Sequence, residues 1–214
     1  GRLGAGRGLR HRAVHRAFAC DRRRRAQAEV GRDPRVALAQ GDVEHLPLAD
    51  ATFDVVVSFR VLSHLPDLRA AFREMTRVLH PGGLLDVTVF GDRALDRPVE
   101  HMLREALHEV LGAAARPIRA FYRPPSIAAV EAAGHAAGLV SDDVSAHTTY
   151  RWTDPAALVE GLLVATTYLW THLESATVER VQGLLRAKAR AAASARGLED
   201  WDYVIHYRGT RSTP

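Results

Sequence analysis

The chain has 214 residues, of which 47% are hydrophobic and 25% charged, as in globular domains that bury a full core. No apolar run reaches the roughly 18 residues that a membrane-spanning helix needs, and no signal peptide is visible. The single cysteine, Cys20, excludes an internal disulfide framework and a cysteine-based zinc site, so we expect a reducing, cytoplasmic setting.

The formal net charge of +4 is concentrated at the front of the chain. Residues 1–25 carry nine arginines and one acid, Asp21, whereas the remainder is acidic on balance. Binding of nucleic acid through this basic segment is one hypothesis, but neither an aromatic platform nor a recognisable DNA-binding motif accompanies it. We therefore do not expect nucleic acid to be the partner.

Five segments have the pattern of β-strands. The β-branched run from Phe53 to Phe59 is typical of a strand buried on both faces of a parallel sheet, and Leu84 to Phe90 has the same character. Shorter runs predict strands over 36–40, Val144 to Trp152 and Tyr203 to Tyr207.

The segments between these strands predict helices. Asp67 is placed to cap a helix whose apolar face is Leu68, Phe72, Met75 and Leu79, ended by the Pro81-Gly82-Gly83 turn. Other helices are predicted over Pro98 to Leu111, from Ser126 to a stop at Gly138, from Asp154 to about His172, and from Ser175 to about Arg196.

Alternating strands and helices predict an α/β fold with a doubly wound, mostly parallel sheet. No clear first strand is visible, and a helical insertion precedes the last strand. We divide the chain into an aberrant or partial cofactor-loop region over 1–34, a core over 35–150 with an insertion at about 91–124, and a helical insertion with the final strand over 151–214.

Ligands bind such sheets beyond the carboxyl ends of the strands, which directs attention to the loops after Gln40, after Phe59 and after Phe90. Asp42, after the predicted strand 36–40, is either a hydrogen-bond acceptor for a ligand or a turn and cap residue. After Phe59, Arg60 is suited to an anionic group and His64 to general-base catalysis, the alternatives being a solvated arginine and a packed histidine. The eleven histidines form no HExxH motif, and we expect no metal.

Glycines Gly4, Gly6 and Gly8 have the spacing of a nucleotide-binding loop, although no hydrophobic strand precedes them.

Three segments, GDVEHLPLADATFDVVVS, VLSHL and REMTRVLHPGGLLDV, resemble a class I S-adenosylmethionine-dependent methyltransferase of the type that modifies small molecules. The resemblance extends over about residues 35–210. It implies a Rossmann-like sheet with a reversed last strand and S-adenosylmethionine as cofactor. It also implies that Asp42 and Val43 contact the adenine and that Ser58, Phe59 and Arg60 line the methionine end of the pocket.

The front of the chain departs from this family. The resemblance makes Gly4, Gly6 and Gly8 the cofactor loop and Asp21 the acid that binds the ribose. The stretch of chain between Gly8 and Asp21 is short for the loop, helix and strand that the family has there. A truncated chain and a frame-shifted upstream reading both explain this. We therefore predict weak or absent cofactor binding by these 214 residues. In family members with VLHHL the first histidine corresponds to Ser63, so only His64 remains as a catalytic candidate.

The leading hypothesis is methyl transfer to a small-molecule acceptor, with no membrane partner. Phe121, Tyr122, Trp152, Tyr168 and Trp170 would suggest an apolar or aromatic acceptor, the alternative for most of them being core packing. A degenerate, non-catalytic methyltransferase-like binding domain is the second hypothesis.

Overall fold

A computed structural model describes residues 39, 41–65, 67–115, 123–166, 170 and 173–213. The strands are β1 (Phe53–Phe59), β2 (Leu79–Phe90), β3 (Leu139–Thr153) and β4 (Leu198–Arg211). The helices are α1 (Leu68–Val78), α2 (Pro98–Leu111), α3 (Ile127–Ala136), α4 (Pro155–Ala165) and α5 (Ser175–Ala192). The predicted strand over 36–40 lies outside the described residues except for Ala39, which is not in a strand.

The four described strands form one sheet in the order β1-β2-β4-β3. β1 pairs with β2 in parallel, and β4 runs antiparallel to both β2 and β3. Three strands therefore share one direction and only the last is reversed. This confirms the predicted doubly wound architecture, with α4 and α5 forming the helical insertion before the last strand.

Helix starts follow the predicted caps. Asp67 accepts hydrogen bonds from the backbone N–H of Arg69 and Ala70, and Ser126 Oγ accepts one from the N–H of Ala129. Asp154 caps α4 in the same way. Each cap satisfies N–H groups that have no partner inside the helix, which is why these three helix starts were readable from the sequence.

The start of β2 was predicted wrongly. α1 ends at Val78 and β2 begins at Leu79, five residues before the predicted Leu84. The pairing steps from Phe53–Leu79 to Val55–Leu84, so β2 accommodates three extra residues where β1 advances by two. Gly82, with φ of 77°, lies in this bulge. The proline and glycines therefore make an irregular strand start rather than a turn between helix and strand.

The prediction that β1 is buried on both faces is also wrong for the described residues. Val55, Val57 and Phe59 are 50%, 62% and 65% exposed. β1 is the edge of the described sheet, and α1 and α3 pack on its opposite face, toward which Val56 points. A β-branched run signals strand geometry, but it does not tell which neighbours cover each face.

The described residues form two apolar cores. The first lies between the sheet and helices α1 and α3, and its members include Phe72, Leu85, Ile205 and Tyr207. Phe72 and Tyr207 meet edge to face with ring centroids 5.4 Å apart. The second joins α2, α4 and α5 into a bundle, with these buried residues among its members: Val99, Leu103, Leu107, Val159, Leu162, Val181, Leu185 and Leu198. The bundle is attached to the sheet through β4, because Leu198, a member of this second core, is the first residue of β4.

An ion cluster lies where the bundle joins the sheet. The fully buried carboxylate of Asp200 accepts hydrogen bonds from Arg97 Nε at 3.0 Å and from Arg97 and Arg151 terminal nitrogens at 2.6 Å each. Asp202 lies 2.8 Å from Arg151 and 3.7 Å from Arg97. Burial alone would lower the pKa of Arg97, but the hydrogen bond and attraction of Asp200 raise it. The cluster ties the start of α2 to β3 and β4.

Candidate active site

The carboxyl ends of β1 and β2 lie side by side. Phe59 is in register with Thr88, and the backbone N–H of Arg60 donates to the Thr88 carbonyl at 2.6 Å. Beyond β2, the N–H of Gly91 donates to the Tyr203 carbonyl. The loops that follow the two parallel strands therefore begin at one edge of the sheet, where open α/β sheets bind their ligands.

Ser58, Phe59 and Arg60 are brought together at this edge. Ser58 is buried on the side of the first core, whereas Phe59 is exposed on the opposite face. Arg60 has φ of 57°, a left-handed conformation that is uncommon for a residue other than glycine. Its guanidinium carbon lies 5.3 Å from the ring centroid of Phe59 and 4.7 Å from that of Phe90. Phe90, the last residue of β2, thus lies beside the same guanidinium.

Asp42 closes a turn. Its Oδ1 accepts a hydrogen bond from the N–H of Glu44 at 2.9 Å, and its carbonyl accepts one from the N–H of His45 at 3.0 Å. The other carboxylate oxygen lies 4.0 Å from His45 Nδ1, and the side chain is 62% exposed. The turn interpretation is confirmed, and it leaves Oδ2 accessible to a ligand donor. Val43, the other predicted adenine contact, packs against the first core.

Helix α1 holds this turn beside the loop after β1. Glu44 Oε1 accepts from the N–H of Asp67, the residue that caps α1, at 3.1 Å. Farther along, Glu74 accepts from the N–H of Leu46 at 2.8 Å, and Arg77 donates to the carbonyls of Leu46 and Leu48. The hydrogen bond from Arg77 lowers the pKa of Glu74. The segment 42–50 is therefore anchored along α1 at both ends.

The loop after β1 contains a short 3-10 helix, Leu62–His64. Ser63 is fully buried; its carbonyl accepts from the N–H of Arg123 at 2.9 Å, whereas its Oγ has no hydrogen-bond partner within the described part of the chain. His64 keeps an exposed edge, yet desolvation by the surrounding protein lowers the pKa of its ring. A neutral imidazole is the form that a general base requires.

The remaining predicted residues are distributed as follows. Gly4, Gly6, Gly8 and Asp21 lie outside the described residues, as do Phe121, Tyr122 and Tyr168. Trp170 packs against the second core and donates to the Leu163 carbonyl, as its core-packing interpretation predicts. Trp152 is 42% exposed and stacks with Arg196.

The described ranges contain neither a metal-binding cluster nor a membrane-spanning helix. Within them no three histidine, cysteine or acidic side chains converge as metal ligands. None of the described helices is both long and apolar enough to cross a bilayer.

The ion cluster of Arg97, Arg151, Asp200 and Asp202 was missed by the sequence analysis. Arg97 and Asp200 are 103 residues apart, so no local pattern links them.

Comparisons with known proteins agree on one family. A family model described as a methyltransferase domain matches residues 2–87. Malonyl-(acyl-carrier protein) O-methyltransferase of Geobacter sulfurreducens is 38% identical over 121 residues, 56% of this chain and 45% of that protein. The 27-O-demethylrifamycin SV methyltransferase of Amycolatopsis mediterranei is 30% identical over 159 residues, 72% of this chain and 54% of that protein. The chain thus spans about half the length of these curated relatives.

Solved structures share the fold. A candidate methyltransferase of Bacillus halodurans superposes with a TM-score of 0.55 at 17% identity, covering 88% of this chain and 77% of that chain. The cyclase SpnF superposes with a TM-score of 0.51 at 18% identity, covering 88% and 61%. At these identities the likeness concerns the fold alone. The family model over residues 2–87 and the named relatives thus make this chain similar to S-adenosylmethionine-dependent methyltransferases, and the described residues share the fold of solved methyltransferases.

Proposed function

We propose that this chain transfers a methyl group from S-adenosylmethionine to a small-molecule acceptor. The observation that carries the proposal is the arrangement at the sheet edge. The Asp42 turn and the loop after β1 are tied to the same end of α1, through Glu44 and Asp67, beside the end of β2. This is where the family resemblance puts the adenine and methionine ends of the cofactor.

The described residues suit that cofactor chemically. Asp42 has an accessible carboxylate oxygen, which would accept a hydrogen bond from the exocyclic amine of adenine. Ser58, Phe59 and Arg60 would line the methionine end. By resemblance, Gly4, Gly6 and Gly8 would form the loop around it, and Asp21 would bind the ribose hydroxyls. When bound, S-adenosylmethionine supplies a methyl group activated by its positively charged sulfur.

The protein's own contribution is positioning and proton removal. Two packed strand ends and the anchored 42–50 segment would orient the reactants, which lowers the entropic part of the barrier. His64 is our candidate for accepting the proton that an O–H or N–H acceptor releases on attack. Its lowered pKa favours the neutral ring, which is the form that can accept a proton, at neutral pH.

The named relatives support a small acceptor. They act, by name, on a malonyl group carried by an acyl-carrier protein and on a rifamycin. In this chain the bundle of α2, α4 and α5 adjoins the ligand edge through β4, so an acceptor would bind between the bundle and the strand ends.

Titration with S-adenosylmethionine, followed by NMR of the isotope-labelled chain, tests the proposal. We expect saturable binding weaker than micromolar, because the front of the chain departs from the family pattern. Asp42→Asn keeps an oxygen for the turn but removes the carboxylate, and should weaken binding by roughly tenfold, the effect of one hydrogen bond to a charged group. Glu131→Gln, an exposed acid on α3, is the matched control and should bind as the unaltered chain does.

Two results would contradict the proposal. If no signal moves at millimolar S-adenosylmethionine, the chain does not bind the cofactor. If binding occurs but equal losses follow Asp42→Asn and Glu131→Gln, the site is elsewhere. Saturable binding with no methyl transfer to a panel of hydroxyl, amine and carboxylate acceptors would instead favour the non-catalytic binding domain.

A further inference from the structure

Arg60 is held in an unusual way at the end of β1. Its backbone is left-handed, with φ of 57°, and its N–H is fixed to the Thr88 carbonyl. The side chain turns back over the rings of Phe59 and Phe90, at 5.3 and 4.7 Å. Aromatic stacking restrains the plane of the guanidinium while leaving its edge N–H donors free. Strained residues of this kind cluster at functional sites.

Arg60 differs in its partners from the arginines that form ion pairs in the described part of the chain. Arg77, Arg97 and Arg208 each donate to at least one carboxylate. Among the residues that the structure describes, Arg60 is paired with no carboxylate and is exposed. An oriented, exposed guanidinium without an acidic partner retains its full capacity for a bidentate bond to a carboxylate.

The register of the sheet places Arg60 on the side of the helical bundle. Phe59 is opposite Thr88, and Phe90 is opposite Val204. Side chains alternate along a strand, so Val204 shares its face of β4 with Asp202, Asp200 and Leu198. Leu198 belongs to the core of the bundle. The stacked guanidinium therefore faces the space between the strand ends and the bundle.

We propose that Arg60 binds a carboxylate in this space, through the outward edge of its guanidinium. Two molecules could carry this carboxylate: the cofactor, at its methionine end, or an acidic acceptor. Both of these assignments rest on the proposed function. Each of these molecules would present a planar carboxylate to the guanidinium of Arg60. Binding of the anion itself is independent of the cofactor and can be measured separately.

Malonate, a small dicarboxylate, is the first probe. The arginine Nε–H signals of the labelled full chain are followed by NMR during titration, and the Arg60 signal is identified by its loss in Arg60→Lys. We expect it to shift saturably at millimolar malonate and not with malonamide, the neutral analogue. Arg73, an exposed arginine on α1, provides the reference signal. The proposal is overturned if Arg60 shifts no more than Arg73, or if malonamide is equally effective.

The second experiment separates the two carriers. S-adenosylhomocysteine contains the methionine-derived carboxylate, whereas 5′-methylthioadenosine lacks it. If the cofactor carries the carboxylate, Arg60→Gln should weaken S-adenosylhomocysteine binding about 10- to 100-fold and leave 5′-methylthioadenosine binding unchanged, the range for a hydrogen bond to a charged group. Arg73→Gln should change neither.

The remaining outcomes are also decisive. If Arg60→Gln changes neither affinity while malonate still binds, the carboxylate belongs to the acceptor. Equal losses for both ligands would show that Arg60 only supports the loop, and would overturn the proposal. If the unaltered chain binds neither nucleoside, the proposed function fails, but the malonate titration still decides whether Arg60 is an anion site.

Discussion

Replacing Asp200 by asparagine should strongly destabilise the attachment of the helical bundle. The carboxylate is fully buried and accepts three hydrogen bonds of 2.6 to 3.0 Å from Arg97 and Arg151. Arg97 is itself 13% exposed, so the change leaves a buried cation short of its main counter-charge. Removing one partner of a buried pair typically costs about 3–5 kcal/mol.

Two features of the structure reduce the expected loss of stability. Asp202 remains 3.7 Å from Arg97 and 2.8 Å from Arg151, and Arg151 is 37% exposed, so solvent and one acid compensate in part. We expect Asp200→Asn to reduce the free energy of unfolding by about 2–4 kcal/mol. For a chain of this length that corresponds to a melting temperature lower by roughly 5–15 °C. Asp202→Asn, at the more exposed acid, should cost about 1 kcal/mol.

Urea denaturation followed by circular dichroism measures both variants, and hydrogen exchange locates the effect. Relative to the unaltered chain, Asp200→Asn should speed the exchange of α2 amides more than that of α1 amides. A double-mutant cycle adds a sharper test: Arg97→Met should cost less in the Asp200→Asn background than in the unaltered chain, because the cation it removes is then uncompensated. The reasoning is refuted if Asp200→Asn costs no more than Asp202→Asn, or if the two changes at Arg97 and Asp200 are additive.

Three further predictions follow from single contacts. Gly134→Ala should destabilise the protein by about 1–3 kcal/mol, because the new Cβ would overlap the buried ring of Tyr207. Gly183→Ala, which has open space around it in α5, should stabilise the protein by roughly 0.5–1 kcal/mol. Thermal melts compare the two variants directly, and equal effects would contradict this account of the packing. Arg77→Ala should cost about 1–2 kcal/mol and speed hydrogen exchange over 42–50, and unchanged exchange there would contradict its anchoring role. Because burial lowers the pKa of His64, the unfolded chain takes up a proton first as the pH falls below about 6.5. Stability should therefore fall from pH 7.5 to 5.5 by more in the unaltered chain than in His64→Gln, as measured by urea midpoints; identical pH profiles would argue against it.

Local chemistry allowed much of the fold to be predicted. β1 and α2 were predicted to the residue, and the caps Asp67, Ser126 and Asp154 marked three helix starts. These signals are contained within a few residues, because β-branched runs, cap side chains and Gly or Pro positions act on the adjacent backbone. Asp42 and Arg60 were singled out for the same reason, since each lies within two residues of the end of a predicted strand.

The features that failed depend on distant partners. Whether Val55 and Val57 are buried is decided by what covers their face of the sheet, which no local pattern contains. The pairing of Arg97 with Asp200 joins positions 103 residues apart. The stack of Arg60 on Phe90 depends on the register of β1 with β2, which the sequence suggested only as a neighbouring pair of strands.

Strand β4 shows why the proposed acceptor side of the site was the hardest part to predict. Its second half buries Ile205 and Tyr207 against the first core, whereas its first half buries Leu198 and Asp200 on the opposite face, against the bundle. The buried side chains therefore do not follow one alternating pattern across the 14 residues of β4, and only Tyr203 to Tyr207 was predicted as a strand. Pairing with β2 stops at Val204, while pairing with β3 continues to Leu198. The resulting two-stranded ribbon extends past the ligand edge and holds the bundle there, so the space facing Arg60 is defined by this change of buried face.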